Sequence, residues 1–99
     1  MSITITITAT KPANVKWFSD SAPEISSLIS ALNAWTRTQA GFISQQGRAV
    51  DANTFVTELC FDSLLHYNEW EAAMLASTTG AQRRTYNLAN GIKSEVVVV

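Results

Sequence analysis

Cysteine is nearly absent: Cys60 stands alone, so no intrachain disulfide can form. A lone thiol reads as a small buried hydrophobe, and a reducing, cytoplasmic setting is expected. Histidine is equally scarce. His66 and Cys60 together cannot assemble a zinc site, which draws on four N or S ligands or on three plus water. No metal and no cofactor is therefore expected. The four glycines are scattered and make no phosphate-cradling loop, and Gly47-Arg48 falls in an expected strand pair rather than ahead of a helix. No apolar stretch approaches the ~20 residues of a membrane helix, and no basic start leads into an apolar run. Charge is balanced, seven Lys plus Arg against eight Asp plus Glu, and neither sign forms a block. A phosphate backbone needs several convergent cations, so nucleic acid is not the expected partner.

What is present suits a packed core. Of 99 residues 46% are apolar, among them three Trp, four Phe and two Tyr, and residues 1–99 are expected to make one domain. A domain of this size is only modestly stable alone and gains from a subunit interface.

The chain opens on strict alternation, Ile3-Thr4-Ile5-Thr6-Ile7-Thr8, which puts three Ile on one face of a strand and the Thr hydroxyls on the other. Lys11-Pro12-Ala13-Asn14 interrupts it, and Val15 to Phe18 is expected to resume it after a turn. Ser21-Ala22-Pro23-Glu24 carries the signature of a capping box with Pro in the first turn, so a helix is expected from Ala22. Ile25, Leu28, Ile29, Leu32 and Trp35 give it an apolar stripe, and Gly41 is its expected left-handed cap. Phe42 to Arg48 and Thr54 to Phe61 read as a hairpin turning at Asp51-Ala52-Asn53. Phe55, Thr57, Leu59 and Phe61 share one face of the second of these strands; Val56, Glu58 and Cys60 share the other, with Glu58 expected as an edge charge in solvent.

Asp62 or Ser63 caps a second helix in which Tyr67, Trp70 and Met74 form one stripe, and Thr78-Thr79-Gly80 breaks it. Thr79 with Gln82 and the stop at Gly91 predict a short extra helix over Gly80 to Asn90. Ile92 to Val99 closes the chain as a strand ending in four Val, which alternation against one core does not explain. Such an end must be covered on both faces or reach another chain. The order is β-α-β-β-α-β with an extra helix before the last strand, a ferredoxin-like α+β fold with a four-stranded antiparallel sheet.

Several local features resemble the dimeric α+β barrel superfamily, in particular its antibiotic biosynthesis monooxygenase-like branch. They are the alternating first strand, the helix leading into Gly41-Phe42-Ile43-Ser44, the Asp51-to-Thr54 hairpin, and Phe61-Asp62-Ser63 running into His66-Tyr67-Asn68-Glu69-Trp70. The resemblance implies a homodimer in which two sheets face one another as a barrel, with a cavity between sheet and helices in each subunit. Some members oxidise electron-rich aromatic substrates with oxygen and no cofactor, some degrade haem, and many have no assigned activity. Haem-degrading members also place a His further along and an Asn on the first strand. Here Gly80-Ala81-Gln82-Arg83 and a run of Ile and Thr stand in those regions, which argues against haem.

A cofactor-free oxygenation needs a base and an apolar, water-poor pocket. His66, whose ordinary pKa lies near neutrality, is the natural base; Trp70 lies four residues on, and Arg83 completes the candidate catalytic set. Tyr67, Met74 and Arg84 are the candidate pocket residues. Each has a blander reading: a helical His at the surface, Tyr67 and Trp70 as core packing, Arg83-Arg84 as solvated charges. The expectation is thus a homodimeric monooxygenase-like protein that binds a small aromatic or apolar molecule, the alternative being a non-catalytic dimerisation or ligand-sensing module on the same scaffold.

Overall fold

A computed structural model describes residues 2–99. Four strands, β1 (Ile3–Thr10), β2 (Phe42–Asp51), β3 (Thr54–Phe61) and β4 (Lys93–Val98), form one antiparallel sheet in the order β2-β3-β1-β4. Three helices accompany it: α1 (Pro23–Thr36), α2 (Leu64–Ala76) and α3 (Thr78–Ala89). The expected ferredoxin-like α+β order is the one observed.

Register explains the two faces. Ile3 lies opposite Phe61 and Ile5 opposite Leu59, so the apolar alternation of β1 meets the matching alternation of β3 on the helix side. Ile5, Leu59 and Phe61 are almost fully buried there with Leu32, Tyr67, Trp70 and Met74. Phe61 is the hub, its ring centroid 5.9 Å from Phe42, 6.0 Å from Tyr67 and 5.8 Å from Trp70. The other face carries Thr4, Thr6 and Thr8 beside Cys60, Glu58 and Val56, and no helix covers it. Glu58 is exposed as expected, but β3 is an inner strand, so it stands on the open face rather than at an edge.

Local expectations are corrected at several points. Val15 to Phe18 does not resume the strand; Phe18–Asp20 is a 3₁₀ turn whose Phe18 packs on Tyr86 of α3 at 5.5 Å. Ser21 makes no capping box, because its hydroxyl donates to the Phe18 carbonyl at 2.6 Å, and Ala22 is the uncapped N-cap. The stripe of α1 is buried chiefly at Leu32, while Leu28 is 40% exposed. Gly41 is left-handed, φ +79°, but lies beyond the Arg37 C-cap and turns the chain into β2. The last helix starts at Thr78 because Ser77, whose hydroxyl accepts from Gly80 N–H, is its cap. Gly80 therefore sits inside α3 and packs on the Met74 carbonyl, where a Cβ would collide.

Candidate functional site

The second helix organises the site. Ser63 is its N-cap, accepting from His66 N–H at 3.2 Å, so His66 falls at the third helical position. A cation there opposes the helix dipole. Asp62, just outside the helix, compensates: its Oδ1 lies 2.5 Å from His66 Nδ1. The hydrogen bond to Asp62 holds the imidazole pKa above its ordinary value, with a smaller contribution from Glu69, and the same bond holds the Asp62 carboxyl below its own. With Nδ1 turned to the carboxylate, Nε2 is the nitrogen left to exchange protons.

Gly41 makes room for this pair. Its carbonyl accepts from Asp62 N–H at 2.8 Å, and a Cβ built on it would run into both the Asp62 carboxylate and the His66 ring. The imidazole faces a shallow groove of about 160 Å³ lined by Gln39, Ala40, His66, Glu69 and Trp70. Gln39 is held by its amide, which donates to the Trp35 carbonyl at 3.2 Å.

Trp70 contributes only an edge to that groove, being 7% exposed. Its indole N–H donates to Thr36 Oγ1 at 2.9 Å, and the Thr36 hydroxyl donates onward to the Leu32 carbonyl at 3.0 Å. Tyr67 and Met74 lie with it in the core, and the Tyr67 hydroxyl donates to Glu71 at 2.7 Å. Burial, helped by Glu71, pushes the Tyr67 phenol well above its usual pKa, which makes it a poor proton donor.

Of the residues singled out in the sequence, His66 and Trp70 meet at one groove. Arg83 does not join them there: its guanidinium lies 3.3 Å from Met74 Sδ, two helical turns beyond His66 along α2. Arg84 is exposed. Sequence reasoning missed Asp62 as the partner of His66, although the spacing of four residues into a helix start is a usable signal. It also missed Glu69, one helical turn from His66 on α2, and Gln39 and Thr36, which become neighbours only through tertiary packing. Among the described residues no group of three or more His, Cys, Asp or Glu could hold a metal. No helix is long and apolar enough to cross a membrane.

No protein-family model matches the chain, and no curated protein matches it significantly. Solved structures do. SnoaB, a cofactor-independent oxygenase from Streptomyces nogalater, superposes with a TM-score of 0.64 at 18% identity, over 99% of this chain and 90% of that one. A candidate antibiotic biosynthesis monooxygenase from Nitrosomonas europaea gives 0.63 at 10% identity, over 98% and 88%. A conserved protein from Methanosarcina mazei gives 0.66 at 9% identity, over 100% and 91%. The α+β fold of the antibiotic biosynthesis monooxygenase-like proteins, expected from the sequence, is the fold of this chain.

Proposed function

We propose that the protein is a one-domain homodimer of the monooxygenase-like kind that binds a small hydroxylated aromatic molecule in the groove over α2, with His66 as the base. The Asp62–His66 pair opening onto a groove edged by Trp70 carries this reading. The Asp62 carboxylate fixes the imidazole so that Nε2 takes the phenolic proton, and the electron-rich ring left behind reduces oxygen. In balanced form a ring C–H ortho or para to the hydroxyl becomes C=O while the hydroxyl becomes the second carbonyl of a quinone, one oxygen atom of O2 staying in the product and the other leaving as water with the ring hydrogen and the phenolic proton. The likeness in fold to SnoaB supports the class of chemistry. Oxygen uptake with a panel of phenols and hydroxynaphthalenes tests it: turnover should fall at least about a hundredfold in His66→Ala, in line with the loss of a general base. Unchanged turnover removes His66 from the chemistry.

The dimer is supported by β4. Val96, Val97, Val98 and Val99 are 47%, 47%, 45% and 84% exposed, so both faces of this edge strand lie open. A second copy seated on the sheet is the economical cover. The alternative, a non-catalytic module, is favoured by one observation: Tyr67, Trp70 and Met74 pack with Phe61 in the space between sheet and helices where a deep pocket would lie. The oxygen-uptake panel separates the two, because the module turns over none of it.

A further inference from the structure

Arg83 is an inward-facing cation without an anion. Gly80, Arg83 and Tyr86 follow one another at helical spacing along α3, and the residues flanking Arg83 both face the protein: Gly80 abuts the Met74 carbonyl and Tyr86 packs on Phe18. Arg83 lies between them, half-buried, with Nη2 3.3 Å from Met74 Sδ. A thioether is a weak acceptor for a group with five donors in a fixed fork. The only ion pair among the described residues is His66–Asp62, so no carboxylate oxygen lies within ion-pairing distance of this guanidinium. Desolvation lowers its pKa accordingly. Gln45 Oε1 is the only fully buried side-chain nitrogen or oxygen left without a partner among the described residues, so the remaining Arg83 donors still reach solvent. The cation is partly stripped of water, accessible, and set against the sulfur of a core methionine.

We propose that Arg83 is a binding site for the carboxylate of a small apolar molecule, its fork taking the two oxygens while the Met74 side chain meets the apolar body. Guanidinium and carboxylate match in geometry, and a charge-assisted bidentate pair gains strength where water is partly excluded. A fully hydrated inorganic anion fits less well, because the thioether offers it nothing. The site is separate from His66 and does not depend on the reading of the groove.

Thermal shift and isothermal titration with benzoate, its uncharged match benzamide, and inorganic phosphate test the assignment. Benzoate should raise the melting temperature of the wild-type chain and of His66→Ala alike, while benzamide and phosphate do not. Arg83→Gln should weaken benzoate binding at least about tenfold, the size expected for losing a hydrogen-bonded charge, and Arg83→Lys should fall between. If Arg83→Gln does not fold, Arg83→Lys alone decides. Benzoate that leaves the wild type unmoved, that binds Arg83→Gln or Arg83→Lys as well as wild type, or that phosphate or benzamide equals, overturns the proposal.

Discussion

Trp70 and Thr36, 34 residues apart in the chain, are joined by a buried hydrogen bond of 2.9 Å from the indole N–H to the hydroxyl oxygen. This bond ties α2 to the end of α1, so the groove wall and the core share one residue. It also yields an asymmetry. Thr36→Val keeps the shape but orphans the indole N–H, at a cost of about 1–3 kcal/mol. Trp70→Phe removes the donor and leaves the Thr36 hydroxyl on the Leu32 carbonyl, so most of its cost is lost packing. In the double variant the polar penalty should vanish, giving sub-additive losses in denaturant unfolding. Additive losses would mean the bond does not matter.

Trp70→Ala should cost roughly 3–5 kcal/mol, the range for a large aromatic removed from a core. His66→Ala should change stability far less, since its side chain is one-third exposed. A Trp70→Ala variant that unfolds like wild type would make Trp70 a pocket residue, not a core one.

The Asp62–His66 pair sets a pH window. His66 titrates above its ordinary 6.5 in the folded chain, so its contribution to stability is full below 6.5 and is lost as pH rises through the raised value. Asp62 titrates below its ordinary 3.8, so its contribution is present above 3.8 and is lost as pH falls through the depressed value. Between 3.8 and 6.5 both contributions are full, so Asp62→Asn should lower stability across that plateau and flatten the losses above 6.5 and below 3.8. Turnover runs the other way, because a base must be neutral: it should rise as pH climbs through the His66 pKa. Asp62→Asn should move that ascending limb to lower pH. A limb that stays in place would assign it to another group.

Gly41→Ala is expected to destabilise by more than about 1 kcal/mol, since φ is +79° and the new methyl meets Asp62 and His66. The same substitution should push the pair apart and return the His66 pKa toward 6.5, readable by NMR titration of the ring. A stable Gly41→Ala chain with an unchanged His66 pKa would contradict the packing described.

The proposed dimerisation through the helix-free face can be probed at Thr6, which lies opposite Glu58 on one side and Val97 on the other. Thr6→Arg is tolerated within one chain because Glu58 stands beside it, yet it sets a bulky cation where a second sheet would pack. Sedimentation should show monomers for Thr6→Arg, and likewise for a chain lacking Val97 to Val99. A wild-type chain that sediments as a monomer, or variants that stay dimeric, would remove this face as the interface.

Much of the fold was legible because short-range rules carried it. The Ile/Thr alternation of β1, the Asp51–Thr54 hairpin and the Ser63 cap each depend on residues a few positions apart, and the Tyr67, Trp70 and Met74 stripe needs only helical spacing. Ser21 misled because its hydroxyl had a nearer acceptor, the Phe18 carbonyl, than the helix it was expected to cap. Gly41 misled because a left-handed glycine serves a strand entry as well as a helix end. Only half of the site could be read in advance. His66 and Trp70 share a helix, whereas Thr36, Gln39 and the carbonyl of Gly41 come from the α1–β2 segment, and nothing local in the chain announces that this segment lies beside α2.

The most direct measurement is a ¹H–¹⁵N and imidazole-ring NMR titration of the wild-type protein with a hydroxynaphthalene. The account predicts shifts concentrated at His66, Glu69, Gln39 and the Trp70 indole N–H, with the His66 pKa moving on binding. Shifts confined to other surfaces, or none at any accessible concentration, would contradict it and leave the chain without a site over α2.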